Sequence, residues 1–139
     1  MSSSLIANGD FENGTASWSF TSSGSGVNDE SETIENKYCA ISTTESIYQT
    51  IGVLANDYVT VTLNSRGVVS GKVSLMLQNS NTEYWSDVFN SALNAEWKTE
   101  IFSFTVSPEW VGPFVIHFQS GYSPTSTDAV DVDNIVVSK

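Results

Sequence analysis

Three stretches constrain the fold more than any others: YVTVTLN at 58–64, KVSLMLQ at 72–78 and PFVIHFQ at 113–119. In each, apolar side chains recur at every second position, the mark of a strand with one face on a core. Val59, Val61 and Leu63 fall on one side of the first, Val73, Leu75 and Leu77 on one side of the second, and Phe114, Ile116 and Phe118 on one side of the third. The opposite sides then carry Ser74, Met76 and Gln78, and Val115, His117 and Gln119. Further runs rich in β-branched and aromatic residues lie at 38–42, 47–51, 83–90, 97–106 and 130–137, punctuated by Gly, Asn, Ser and Pro, and nothing sustains a helical period. About nine or ten short strands without a helix predict an all-β protein, a sandwich of two antiparallel sheets rather than a barrel. No repeat or linker divides the chain, so residues 1–139 are read as one domain.

The two ends share a second pattern. NGDFENG at 8–14 follows a loosely alternating opening, which predicts a strand over 5–12 with Leu5, Ala7 and Phe11 toward the core and Asn8, Asp10 and Glu12 away from it. VDVDNIVV at 130–137 closes the chain with another apolar strand edged by carboxylates. A hard cation such as calcium takes roughly six to eight oxygen ligands from carboxylates and backbone carbonyls, and Glu12 with Asp133 would supply the anionic part. Solvated turn carboxylates in an acidic chain are the competing reading, and the residues alone leave both open.

Acidity bounds the partners. With 16 acidic against 5 basic residues the net charge is -11, which repels nucleic acid and anionic membranes and suits a neutral ligand or a divalent ion. Four of those acids, Asp29, Glu30, Glu32 and Glu35, stand in 28–35, expected to be a solvated loop whose end at Asn36 approaches the cation. The single cysteine, Cys39, sits in a YCAI run that reads as a buried strand, where a thiol is inert packing. No signal peptide and no apolar stretch long enough to cross a membrane is present.

NGDFENG with Trp18, the Trp97 strand running into FSFTV, the Phe118–Gln119 pair and the closing VDVDNIVV together resemble the carbohydrate-binding modules of family 4 and its relatives in families 9, 16 and 22. The resemblance spans nearly the whole chain, with its specific motifs at the two ends. It implies a β-jelly roll in which a structural Ca2+ joins the N-terminal segment to the last strand. The metal ligands it implies are the carboxylates of Glu12 and Asp133, a backbone oxygen at Asp10 and another near Asn36. Where the family commonly has two successive acids, this chain has Asp133 followed by Asn134. Asp131 stands where some relatives carry a cysteine bonded to the position of Cys39, and the lone thiol fits that loss.

The resemblance also implies a groove on the concave sheet that binds a polysaccharide chain. Sugars offer an apolar ring face that stacks on aromatics and a rim of hydroxyls that pair with amides and other polar groups. Ser74, Gln78, Asn79, His117 and Gln119 fit the polar part, with Gln119 and the pair Gln78–Asn79 on opposite sides of the groove. Tyr48, next to Gln49, is a candidate for the far wall, or an ordinary surface tyrosine. Tyr84 and Trp85 are adjacent, so a regular strand would turn one inward and the other outward; the resemblance favours Tyr84 as the groove residue, while Trp85 remains a candidate for its edge. Trp18 and Trp97 are expected in the core, and Trp110 and Tyr122 are loop aromatics able to overhang the cleft. His117, a lone histidine on a strand, is as readily structural as ligand-binding.

Glycoside hydrolysis needs two carboxylates flanking the bond, and the outward strand positions named above hold none. No nucleophile elbow, zinc helix or phosphate loop occurs. The expectation is therefore a secreted, monomeric, noncatalytic module that holds an attached glycanase on a glucan, xylan or mannan. The alternative is a structural or adhesive jelly-roll module that recognises a protein or cell-surface partner.

Overall fold

A computed structural model describes residues 4–21, 26–29, 36–67, 69–78, 80, 82–89, 94–121 and 129–139, the side chains of 29, 94 and 95 excepted. Among them are ten strands: β1 (Ser19–Phe20), β2 (Gly26–Asp29), β3 (Lys37–Ser42), β4 (Ser46–Ile51), β5 (Tyr58–Gly67), β6 (Gly71–Leu77), β7 (Glu83–Phe89), β8 (Asn94–Thr105), β9 (Phe114–Ser120) and β10 (Ala129–Ser138). They form two five-stranded sheets, ordered β1-β4-β9-β6-β7 and β2-β3-β10-β5-β8. Every pairing is antiparallel. The expected jelly-roll sandwich is the fold observed.

The alternating runs do what their period requires. Val59, Val61, Leu63, Val73, Leu75, Ile116 and Phe118 are all fully buried between the sheets, together with Ile41, Val130 and Val132. β7 and β8 lie at matching edges, and there Trp85 stacks on Phe104 with ring centroids 4.1 Å apart. Near the opposite edges Phe11 stacks on Trp18 at 5.3 Å, and Trp18 meets Phe118 edge-on at 5.9 Å.

The N-terminal segment departs from expectation. Residues 5–12 form bends and turns rather than a strand, and Ile6, not Ala7, is buried with Phe11. Asn8 organises this loop in a left-handed backbone conformation, φ 55°. Its Nδ2 donates to the carbonyls of Gly14 and Ala16, its Oδ1 accepts from Asn13 N–H, and its carbonyl accepts from Trp18 Nε1 at 2.8 Å. An Asn side chain that substitutes for missing backbone partners favours a turn over a strand. The segment still reaches the last strand: Leu5 N–H donates to Val137 O and Ile135 N–H to Gly9 O. Gly9 lies so close that an added Cβ would fall 1.9 Å from Ile135 O. A further departure is Gly26–Asp29, whose last two residues were read as loop and which is instead a strand on β3.

Trp97 is not in the core. It is half-buried on the outer face of the second sheet, edge-on to Tyr38 at 5.8 Å, and the Arg66 guanidinium lies over both rings while its Nε donates to Asp131 at 2.9 Å. Asp131 is opposite Ala40, and it is Val132 that opposes Cys39. Burial pushes the Cys39 thiol up to about 12, with the Asp131 charge adding to the shift, so the thiol is unreactive.

Candidate functional site

The outer face of the first sheet is built in rows set by strand register. Ser19 of β1 is opposite Tyr48 of β4, Tyr48 opposite His117 of β9, His117 opposite Ser74 of β6, and Ser74 opposite Ser86 of β7. One line of side chains, Ser–Tyr–His–Ser–Ser, thus crosses all five strands. The two rings at its centre stack, with centroids 4.7 Å apart and planes 14° from parallel. Ser19 flanks the pair on the Tyr48 side and Ser74 on the His117 side.

Over the β1, β4 and β9 part of this line lies a hollow of about 510 Å³. Tyr48, Gln49, Thr50, Val115 and His117 form its floor, Ser17, Ser19 and Thr21 stand on one side, and Leu77, Gln78 and Ser80 on the other. None of the lining side chains carries a fixed charge. Half-burial pushes the His117 imidazole below its usual value, with the Glu83 carboxylate acting the other way, so the ring is neutral near pH 7. Its Nδ1 is 3.4 Å from Ser46 Oγ.

The β6–β7 side is ionic, which the sequence reading missed. Glu83 projects onto this face, accepts from Ser74 Oγ at 2.9 Å and pairs with Lys72 Nζ at 3.0 Å. Burial raises the Glu83 carboxyl, but hydrogen bonds from Lys72, Ser74 and Ser86 outweigh it and hold the group below the usual range. Ser74, expected to be open to ligand, is only 2% exposed beneath Glu83. Glu83 escaped the sequence reading because the register of β7 shifts beside it, and a regular alternation conceals such a shift.

That shift corrects two further expectations. Trp85 pairs with Leu75 but Glu83 pairs with Met76, so Tyr84 is an extra residue, a β-bulge. A bulge breaks the rule that neighbours face opposite ways. Tyr84 turns to Trp110 at 4.9 Å and Phe114 at 6.2 Å, and Trp85 to Phe104; neither side chain lines the hollow. Gln49 borders the hollow, as expected, but its amide is engaged elsewhere. Its side chain is 9% exposed and faces inward, where Oε1 accepts from Ala7 N–H at 3.1 Å and Nε2 donates to Ala7 O at 2.7 Å, clasping the N-terminal segment. Gln119 is on the outer face one row below, beside Lys72 and Val88 in a separate hollow of about 390 Å³. Asn79 and Tyr122 lie outside the described residues.

The carboxylates at the two chain ends come together, Glu12 and Asp10 both acting on Asp133. β10 is irregular between Asp133 and Val136, with Asn134 at φ 49°, and Asp133, the last residue in register before the irregularity, is only 1% exposed. Asp133 Oδ2 accepts from Asn36 Nδ2 at 3.0 Å and Oδ1 from Asn134 N–H at 2.8 Å. Glu12 Oε2 accepts from Lys37 N–H at 2.9 Å, and Asp10 Oδ1 from Glu12 N–H at 3.2 Å. Burial raises the Asp133 carboxyl, the two hydrogen bonds oppose this, and the charges of Glu12 and Asp10 raise it further. Among the described residues no three His, Cys, Asp or Glu side chains gather as a group able to hold a metal, so a cation here would draw on Asn36 and backbone oxygens as well. A buried carboxylate that is repelled by two others, and that among the described residues accepts from neutral donors, fits such an ion.

No protein-family profile matches the chain, and no curated protein matches it. Solved structures do. A family 16 carbohydrate-binding module superposes with a TM-score of 0.75 at 17% identity, covering 97% of this chain and 99% of that one. A family 4 carbohydrate-binding module gives 0.72 at 20% identity, over 96% and 98% of the two chains. A Stig cyclase from Fischerella sp. TAU, in complex with an indole compound, gives 0.75 at 15% identity, over 99% and 97%. The likeness is one of architecture along the whole chain, and the protein has the β-sandwich fold of the carbohydrate-binding modules.

Proposed function

We propose that the protein binds a neutral polysaccharide chain, without catalysis, in the hollow over Tyr48 and His117. The observation that carries this reading is the register row itself: two stacked rings flanked by hydroxyls and an amide, in a hollow whose lining is uncharged. Pyranose rings stack on exposed ring faces while their hydroxyls pair with Ser19, Thr50 and Gln78. The carbohydrate-binding modules of like fold support the same reading. Because a cyclase shares the fold, the noncatalytic reading rests on the site: of the outward strand positions on this face only Glu83 holds a carboxylate, and its oxygen is engaged by Lys72 and Ser74. Calcium at Glu12, Asp133, Asn36 and the Asp10 carbonyl would be structural, fastening the N-terminal loop to β10. Tethered to a glycanase outside the cell, such a module raises the local concentration of substrate.

Affinity electrophoresis through gels loaded with soluble glucans, xylans and mannans tests this. Retardation by one of them, lost in Tyr48→Ala with the melting temperature unchanged, is the expected result. Release of reducing ends would make the protein an enzyme, and free migration in every gel would favour a structural or adhesive role.

A further inference from the structure

A hollow of about 690 Å³ opens at one end of the sandwich, between the segment joining β4 to β5 and the segment joining β8 to β9. Its lining is apolar except at Thr50 and the Trp110 indole nitrogen. Leu54 and Val111 line it while remaining 72% and 75% exposed, the two largest exposures among the large hydrophobic residues in the described part of the chain. Isolated exposed aliphatics are ordinary, but two beside one concave apolar surface mark a place that something covers. Pro108 and Pro113 stiffen one wall, and Trp110 is braced by its ring contact with Tyr84. A Cβ added at Gly52 would meet nothing within 4 Å, so the wall stands open there. Its size falls in the range of small-molecule sites, and its lining is apolar with few polar atoms, as theirs is.

The hollow adjoins the uncharged one on the first sheet: Thr50 lines both, and Tyr48 with His117, then Thr50 with Val115, are successive outer rows of β4 and β9 leading toward Gly52 and Pro113. A ligand lying over Tyr48 that extends along these rows past Thr50 arrives at it. We propose that this second hollow takes an aryl group carried by the same ligand, so that the preferred ligand is an aryl-substituted glycan or glycoside. The inference rests on the glycan reading for the sugar part and on Leu54, Trp110 and Val111 for the aryl part.

Isothermal titration with the methyl and 2-naphthyl β-glycosides of xylobiose and cellobiose, and with 2-naphthol alone, tests it on the wild type, Leu54→Asp and Val111→Asp. Both positions are largely exposed, so the substitutions leave folding intact. The naphthyl glycoside of whichever sugar binds is expected to bind about tenfold tighter than its methyl counterpart, an advantage absent in both variants while methyl glycoside affinity is unchanged. Equal affinity of the two glycosides in the wild type, or an advantage that survives both substitutions, overturns the proposal. The free naphthol separates this inference from the reading beneath it. Saturable naphthol binding lost in Val111→Asp upholds the aryl site even where no sugar binds, whereas bound methyl glycosides without any naphthol or naphthyl effect sink the aryl site and leave the glycan reading standing.

Discussion

Asp133 is the residue on which the most chemistry turns. It is buried, its carboxyl is raised first by that burial and then by Glu12 and Asp10, and among the described residues Asn36 and a backbone amide donate to it. A carboxyl whose folded-state pKa lies above its unfolded value binds protons more tightly when folded, so its ionisation costs stability as pH rises through the folded pKa. In chelator, the difference in melting temperature between Asp133→Asn and wild type should therefore widen as pH rises from the ordinary carboxylate range through that raised value, then level off. A cation bound by the folded state alone removes the cost, stabilising by about 2.7 kcal/mol at a concentration one hundred times its dissociation constant. Added calcium is thus expected to raise the wild-type melting temperature and to leave Asp133→Ala unmoved; an equal response in scanning calorimetry would refute the metal assignment. Asp133 and Glu12 were legible from sequence as a pair. Asn134 was not: its place after Asp133 looked like a lost acid, yet it takes a positive φ within the irregularity of β10 and its own N–H donates to Asp133 Oδ1.

At the scale of elements, the alternation in β5, β6 and β9 told which side chains face inward, because period two leaves a buried strand no other choice. It failed where the period broke. In β7 the extra Tyr84 places Glu83 on the outer face and sends two adjacent aromatics away from the hollow, and no local residue signal announces a bulge without glycine. In β4 the parity of Gln49 was readable from Ile47 and Ile51, but its clasp on Ala7 depends on a partner 42 residues away. The consequence is a pair of opposite expectations. Trp85→Ala opens the β7–β8 edge and, for a half-buried ring, should cost near the lower end of the roughly 3–5 kcal/mol typical of large aromatics. Glycan retardation measured below the new melting temperature should persist in that variant. Tyr48→Ala should do the reverse, and a Tyr48→Ala protein that kept its retardation would remove the stacked pair from the site.

For the molecule as a whole, the net charge of -11 works against compactness, through self-repulsion that salt screens. Sodium chloride is expected to raise the melting temperature gradually, and calcium at matched ionic strength to raise it further; thermal scans in which the two salts coincide would mean that screening alone is at work. The fold class was readable throughout because strand periods and turn residues agree along the chain. The groove was readable only in outline, since its row depends on which residues of five strands come into register.

The loop of residues 5–9 runs against the last strand in the opposite direction, with Leu5 beside Val137 and Gly9 beside Ile135. The two extremities therefore leave from one corner of the sandwich. Tension applied through them would peel these links apart one after another, as a zipper opens, instead of straining them together: Leu5 would leave Val137 first, Gly9 would leave Ile135 next, and the opening would then run into the seam that holds Asp10 and Glu12 next to Asp133.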